Sequence, residues 1–283
     1  MWPPPARWAS RRRKPCASRA RPPTWPAEVR MGEGVRLLLT RPRPQQADWT
    51  ARLRAQGVEV AALPLMEITP PDSPAPGQAA WQQLPGCALA VFVSPNAVDG
   101  FFALAPSGAR WPPGPRAACV GPGTARALQA RGVPAESIVQ PAAGAASLDS
   151  EHLWERLCDA DWQGAQVLVL RGNGGREWLA EQLGRAGARV QMVSVYQRAE
   201  PHWSTAEQAV LDDALARPRQ HAWLLSSAES VAQLAARVGP VLQGQRAIAT
   251  HERIAAAARA AGFEPVVLTR PDPAEVAQAL RGL

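Results

Sequence analysis

From Val35 onward the sequence alternates short apolar runs with longer amphipathic stretches. This alternation restricts the fold more than any other feature. A short run that is apolar on both faces belongs in a parallel sheet covered on both sides, and the stretch after it has the pattern of the covering helix. The runs are residues 35–40, 58–63, 89–94, 117–121, 137–140, 167–171, 190–196, 222–226, 247–250 and 266–269. They are too many for one small sheet. Four of the stretches between them close alike, with an apolar or small residue four places before a glycine: Leu53 and Gly57, Leu128 and Gly132, Leu183 and Gly187, Ala258 and Gly262. A glycine in the left-handed conformation satisfies the last carbonyls of a helix, so each pair predicts a helix end. Irregular spacing between the copies makes them a recurring βα unit rather than a solenoid.

Two segments break the rhythm. Residues 64–70 (Pro-Leu-Met-Glu-Ile-Thr-Pro) run into a stretch rich in proline and glycine, and residues 193–198 (Val-Ser-Val-Tyr-Gln-Arg) precede Pro201. Both read as extended connectors. Two connectors mean that the chain leaves one domain and later returns to it. The expected architecture is therefore α/β, with two parallel-sheet, flavodoxin-like domains joined by a two-stranded linker. One domain takes 35–63 and 202–283, the inserted one takes 72–192, and the linker takes 64–71 and 193–201. Such a double linkage restrains twisting and permits hinge closure over a ligand.

Charge narrows the function classes. The chain carries 31 basic and 24 acidic residues, net +7, a balance that suggests nucleic-acid binding until it is located. Residues 1–30 hold eight of the basic groups against the single acid Glu28, and the rest of the chain is neutral. The folded body thus has no electrostatic excess for gripping a phosphate backbone, and no nucleic-acid partner is expected. The leader, residues 1–34, is rich in proline and lacks the apolar stretch of an export signal. It reads as a disordered extension, or as translation from a start upstream of Met31. No segment approaches a membrane span, so neither a membrane partner nor a location other than the cytoplasm is expected.

Lys14, in the leader, is the only lysine. Schiff-base chemistry and a Walker-type phosphate lysine are thereby excluded from the body. Cys16, Cys87, Cys119 and Cys158 show no CxxC spacing and the four histidines are scattered, so no metal site is expected. The run Gly172-Asn-Gly-Gly175 is not GxGxxG and lacks a ribose-binding acid, which argues against a dinucleotide cofactor. GxSxG is absent as well.

In open parallel sheets ligands bind beyond the carboxyl ends of the strands, where helix N-termini present free N–H groups. Here those positions hold Thr40, Arg41 and Pro42; Ser94, Pro95 and Asn96; Gly121 through Thr124; Arg171 and Gly172; Ser226 and Ser227; and Thr250, His251 and Glu252. Any one of these small polar residues is also an ordinary helix cap. Together they favour a ligand rich in anionic oxygens, with Arg41 and Arg171 adding charge-assisted bonds. Tyr196, the only tyrosine, lies in the second connector. There it either packs as a strand aromatic or offers a phenolic proton to an interdomain cleft. Trp49, Trp81, Trp154 and Trp178 are helix-borne and read as packing.

The order of these motifs resembles the uroporphyrinogen-III synthase family over residues 35–280. The resemblance rests on Leu38-Leu-Thr-Arg-Pro42 with Gln45, Pro64-Leu65, and Val91-Phe-Val-Ser-Pro-Asn-Ala-Val98. It continues through Val120-Gly-Pro-Gly-Thr-Ala125, Leu170-Arg-Gly172, Val195-Tyr196, Leu225-Ser-Ser227 and Ala247-Ile-Ala-Thr250. It implies two α/β domains on a two-stranded linker and a lyase acting without metal or organic cofactor. The implied substrate is the linear tetrapyrrole polycarboxylate hydroxymethylbilane. It is closed to uroporphyrinogen III with inversion of the last ring and loss of water, in heme biosynthesis. The resemblance also implies a monomer. Tyr196 becomes the expected catalytic donor. The expected substrate contacts are Thr40, Arg41, Ser94, Asn96, Gly121, Thr124, Arg171, Gly172, Ser226, Ser227 and Thr250. A two-domain anion-binding protein without turnover and a nucleotide-sugar glycosyltransferase are the alternatives.

Overall fold

Every apolar run becomes a strand in the computed structural model, which describes residues 34–142, 145 and 147–283. Apart from Gly34, the leader lies outside the described residues. The chain starts with β1 (Arg36–Leu39), α1 (Arg43–Arg54), β2 (Val60–Ala62), β3 (Glu67–Thr69), α2 (Ala75–Gln83), β4 (Leu89–Phe92) and α3 (Pro95–Ala103). Then come β5 (Arg116–Cys119), α4 (Pro122–Ala130), β6 (Ile138–Val139), α5 (Ser150–Trp154), β7 (Gln166–Gly172), α6 (Trp178–Arg185) and β8 (Arg189–Ala199). It ends with α7 (Thr205–Ala216), β9 (His221–Leu225), α8 (Ala228–Val238), β10 (Arg246–Ala249), α9 (Glu252–Ala260), β11 (Val266–Leu268) and α10 (Pro273–Arg281).

The strands form two sheets. One has the order β11-β10-β9-β1-β2 and is parallel throughout; the other has the order β3-β8-β7-β4-β5-β6 and is parallel except at β3. Alternation along single strands explains why the runs are apolar on both faces. On β1, Leu37 and Leu39 pack with Trp49 and Leu53 of α1, while Leu38 packs on the other side with Trp223 and Leu225. On β4, Ala90 and Phe92 join Trp81 and Phe101, while Leu89 and Val91 join Leu153 and Leu183. Each leucine so buried contributes about 2 kcal/mol.

The four predicted helix ends share one hydrogen-bond pattern. At the first, the Gly57 N–H donates to the Arg54 carbonyl (2.9 Å) and the Val58 N–H to the Leu53 carbonyl (3.2 Å). The same pair of bonds recurs around Gly132, Gly187 and Gly262, and all four glycines have positive φ. Val58, Val133, Ala188 and Phe263 follow the glycines and lead the chain back towards the sheets, as a Schellman motif requires.

The apolar run at 190–196 and the second connector, which overlap in sequence, form one strand: β8 continues without a break to Ala199, because Val193, Val195 and Tyr196 are all strand formers and no proline intervenes before Pro201. The first connector supplies β3, which pairs antiparallel with the far end of β8 so that Ile68 faces Arg198. Side chains tie the first connector to the residues that follow the second: Trp203 Nε1 donates to the Pro64 carbonyl (2.7 Å) and the His202 N–H to Glu67 (3.1 Å).

Candidate functional site

Residues 35–283 cluster as a single unit, and the carboxyl ends of strands from both sheets border a common hollow. One cavity of about 490 Å³ is lined by Thr40, Arg41, Ser226, Ser227 and His251 from the all-parallel sheet and by Ser94, Asn96, Tyr196 and Arg198 from the other. A second, of about 540 Å³, shares Arg41, Gln45 and Ser94 with it and extends to Trp49, Gly121 and Thr124. The hollow is spanned by Gln45 of α1, whose Nε2 donates to Asn96 Oδ1 on α3 (3.0 Å).

Tyr196 projects from β8 into the wall of the first cavity and is only 3% exposed. Two glycines set its position. A Cβ at Gly172 on β7 would lie 2.7 Å from the Tyr196 ring, so no side chain is tolerated beneath that ring without displacing it. A Cβ at Gly100 would lie 2.3 Å from the Val195 carbonyl oxygen, so this glycine lets α3 rest directly on β8. That approach brings Ser94, the N-cap of α3, within reach: Ser94 Oγ stands 3.2 Å from the tyrosine hydroxyl while accepting the Ala97 N–H (3.2 Å).

Two of the hydroxyls predicted as ligand groups are partly engaged within the protein. Thr40 Oγ1 donates to the Leu224 carbonyl and Ser227 Oγ accepts the Ser230 N–H (3.3 Å), so each keeps part of its hydrogen-bonding capacity for the cavity. Gly121 is the N-cap of α4 and carries no side chain, which leaves that helix end with its backbone alone to offer.

Arg41 lies in both cavities. Its guanidinium stacks on Trp49 (3.9 Å to the ring centre) and donates to Gln45 Oε1 (2.9 Å), while its Nε is buried with no hydrogen-bond partner among the described residues. Burial lowers its pKa to about 10, helped by the like charge of Arg52, so the group stays cationic at neutral pH. A buried cationic donor without a partner is costly unless something supplies an acceptor.

Arg171, Gly172 and Thr250 line neither cavity. Arg171 faces its own loop: Nε donates to the Gly174 carbonyl (3.1 Å), Nη2 to the Gly175 carbonyl (2.7 Å), and Nη1 to Glu177 (3.1 Å). The glycine run therefore turns carbonyls onto an arginine instead of amides onto a phosphate. Gly172 serves the tyrosine ring, and at the tip of β10 the cap of α9 is His251, whose Nδ1 accepts the Arg253 N–H (3.1 Å). Sequence reasoning passed over Trp49 and Arg198 as site residues, and placed His251 at a tip without counting it among the substrate contacts. For Arg198 a signal was present, since residues two apart on a strand share a face, and Tyr196 was already a candidate.

Comparisons with known proteins agree on one family. The family model described as Uroporphyrinogen-III synthase HemD matches residues 47–278. Uroporphyrinogen-III synthase of Salmonella typhimurium is 34% identical over 188 residues, 62% of this chain and 69% of that protein. The uroporphyrinogen-III synthase of Synechococcus elongatus is 34% identical over 201 residues, 70% of this chain and 71% of that protein. In three dimensions the chain has the fold of a mutant uroporphyrinogen III synthase from the extremely thermophilic bacterium Thermus thermophilus, with TM-score 0.57 at 17% identity, covering 88% of this chain and 98% of that one.

Proposed function

The chain belongs to the uroporphyrinogen-III synthase family, and from that premise we propose how its own residues carry the reaction. The enzyme is a lyase of tetrapyrrole biosynthesis: it closes linear hydroxymethylbilane to uroporphyrinogen III, inverting the last ring with loss of water. Pyrroles of this kind close unaided, so the catalyst's task is to choose which ring carbon is attacked.

In our reading the cavity between the sheets bends the flexible polyacid into one shape before its ends join. Arg41 takes a carboxylate on its guanidinium, and Ser226, Ser227, Thr124 and the α4 amides at Gly121, all lining the two cavities, take others. Tyr196 is the donor. Its proton goes to the terminal hydroxyl, the C–O bond breaks, water leaves, and the pyrrole nitrogen lone pair completes an azafulvene cation. The substituted carbon of the last ring attacks that cation to form a spiro intermediate. Fragmentation exposes a second azafulvene, and the unsubstituted ring carbon closes on it. The proton lost from that carbon, as the ring regains aromaticity, returns to the tyrosine.

The observation that carries this reading is the Tyr196 hydroxyl held 3.2 Å from Ser94 in the wall of a cavity lined from both sheets. The domain division at 35–63 with 202–283 and 72–192, a cytoplasmic monomer, and the absence of a nucleic-acid or membrane partner complete the proposal. In its support, no described helix is long and apolar enough to cross a membrane, and each sheet, β3 and the far end of β8 aside, draws on one of the two portions.

Incubating the protein with fresh hydroxymethylbilane and separating type I from type III product tests the reading. We expect predominantly type III from the parent. Tyr196→Phe should lower kcat about a hundredfold, the scale of a lost proton donor, with an unchanged unfolding temperature. Full activity in that variant would remove the tyrosine from the chemistry.

A further inference from the structure

We propose that Arg198 is a positioning residue for this reaction, holding the Tyr196 oxygen as an acceptor so that the tyrosine's own hydrogen is free to face the substrate. The inference rests on Tyr196 being the donor.

Arg198 is fixed at three points. Its Nη2 lies 3.4 Å from the Tyr196 hydroxyl and its Nη1 3.0 Å from Glu229, in the first turn of α8 across the hollow. Its backbone N–H donates to Asn173 Oδ1 (2.7 Å). The guanidinium carbon is 5.8 Å from the centre of the Tyr196 ring, so the contact is made at the tip of the phenol. β3 runs beside this stretch and sets its register, with Ile68 opposite Arg198.

The direction of the bond follows from chemistry. A guanidinium has only donors, so the phenol oxygen accepts from it. A phenol that accepts from arginine still owns one hydrogen, and among the described residues Ser94 is its one other hydrogen-bond partner, which leaves Ser94 or a ligand to take that hydrogen. Ser94 Oγ already accepts a backbone N–H and has its own hydrogen to offer, so it can release the phenol when a better acceptor arrives. That acceptor is the substrate's terminal hydroxyl. As the proton crosses and the C–O bond breaks, the oxygen becomes a phenolate beside a fixed cation, an interaction that strengthens as the charge develops. Glu229 balances part of that cation and keeps it from collapsing into the hollow. Return of a proton from the closing ring carbon restores the neutral phenol.

The test uses the full chain and fresh hydroxymethylbilane, with kcat, KM and unfolding temperature measured for Arg198→Met, Arg198→Lys, Tyr196→Phe and the Tyr196→Phe/Arg198→Met double variant. Loss of one charge-assisted bond felt in the transition state predicts a fall of about tenfold in kcat for Arg198→Met, with KM within about twofold. Arg198→Lys should recover part of it, and the double variant should be no slower than Tyr196→Phe alone. A raised KM at parental kcat would make Arg198 a substrate ligand and overturn the proposal, as would a double variant whose loss is the product of the single losses. A fully active Tyr196→Phe chain ends the donor reading, whereas a slow Tyr196→Phe beside an unaffected Arg198→Met ends this one alone. If Arg198→Met does not fold, Glu229→Gln, which loosens the same arginine from the far side, should still lower kcat with KM unchanged; parental kcat there overturns the proposal.

Discussion

Two arginines stand at the ends of strands, one in each sheet, and their surroundings could hardly differ more. Arg171, 7% exposed, gives its guanidinium to two glycine carbonyls and Glu177. Arg41 rests on Trp49, bonds to Gln45, and keeps a buried Nε without a partner among the described residues. The first arginine is part of the scaffold: it shapes the loop after β7, and through Gly172 that loop seats the Tyr196 ring. The second is positioned as a binding group whose partner arrives from outside. Nearby Arg43 shows a third condition, spent on Glu207 and Glu67 at the surface. What separates a ligand-binding arginine from a structural one is therefore the set of acceptors within its reach, not the residue type or its place after a strand.

The comparison breaks first at Arg171. Replacing it with alanine should cost about 3 kcal/mol in chemical unfolding, because a buried arginine loses its packed stem together with its charge-assisted bonds to the Gly174 and Gly175 carbonyls and to Glu177. A variant of parental stability with a raised KM would move Arg171 to the substrate side. Next, Gly172→Ala forces a methyl group against the tyrosine ring, an overpacking cost of about 2 kcal/mol, and should lower kcat more than it raises KM. An unchanged kcat would mean that the ring position is uncritical. Arg41→Met fills the stem's volume and removes the guanidinium, with its stacking on Trp49, its bond to Gln45 and its unpartnered Nε. KM should rise about tenfold, equivalent to about 1.4 kcal/mol, with stability equal to the parent's or slightly higher, and a titration of rate against substrate reads this directly.

The smallest effect belongs to the surface arginine. Glu207, hydrogen-bonded by Arg43 and by the Ser204 backbone, has its pKa lowered from 4.5 to about 2. A carboxylate depressed in the folded state stabilises fully above pH 4.5, and that stabilisation is lost as pH falls through about 2. Glu207→Gln should therefore reduce stability at neutral pH by less than about 1 kcal/mol, flatten the acid limb of the unfolding curve, and leave KM alone. A shift in KM would mean that the surface pair communicates with the cavity.

Much of this was legible in the residues. Strands buried on both faces announce themselves as apolar runs, and the glycine four places after an apolar or small residue marked four helix ends because only glycine takes that φ without strain. The tips were legible as places, but their roles were not. Ser94 and Ser227 are caps as well as cavity residues, and at the tip of β10 the cap proved to be His251 rather than Thr250. The run at 190–196 already overlapped the second connector, but that β8 passes there from β7 to β3 was not legible, because a change of partner along a strand leaves no mark on its composition.

The sequence alone determined that there would be two sheets, where their strands and helix ends fall, and that small polar groups would gather at the carboxyl ends. Those properties are local: they follow from side-chain alternation, backbone freedom and capping chemistry within a few residues. Which arginine was left without a partner, and which oxygen came to lie beside Tyr196, depended on groups as much as 102 residues apart in the chain. Hydrogen bonding is settled by distance in space, so only the packed molecule decided it.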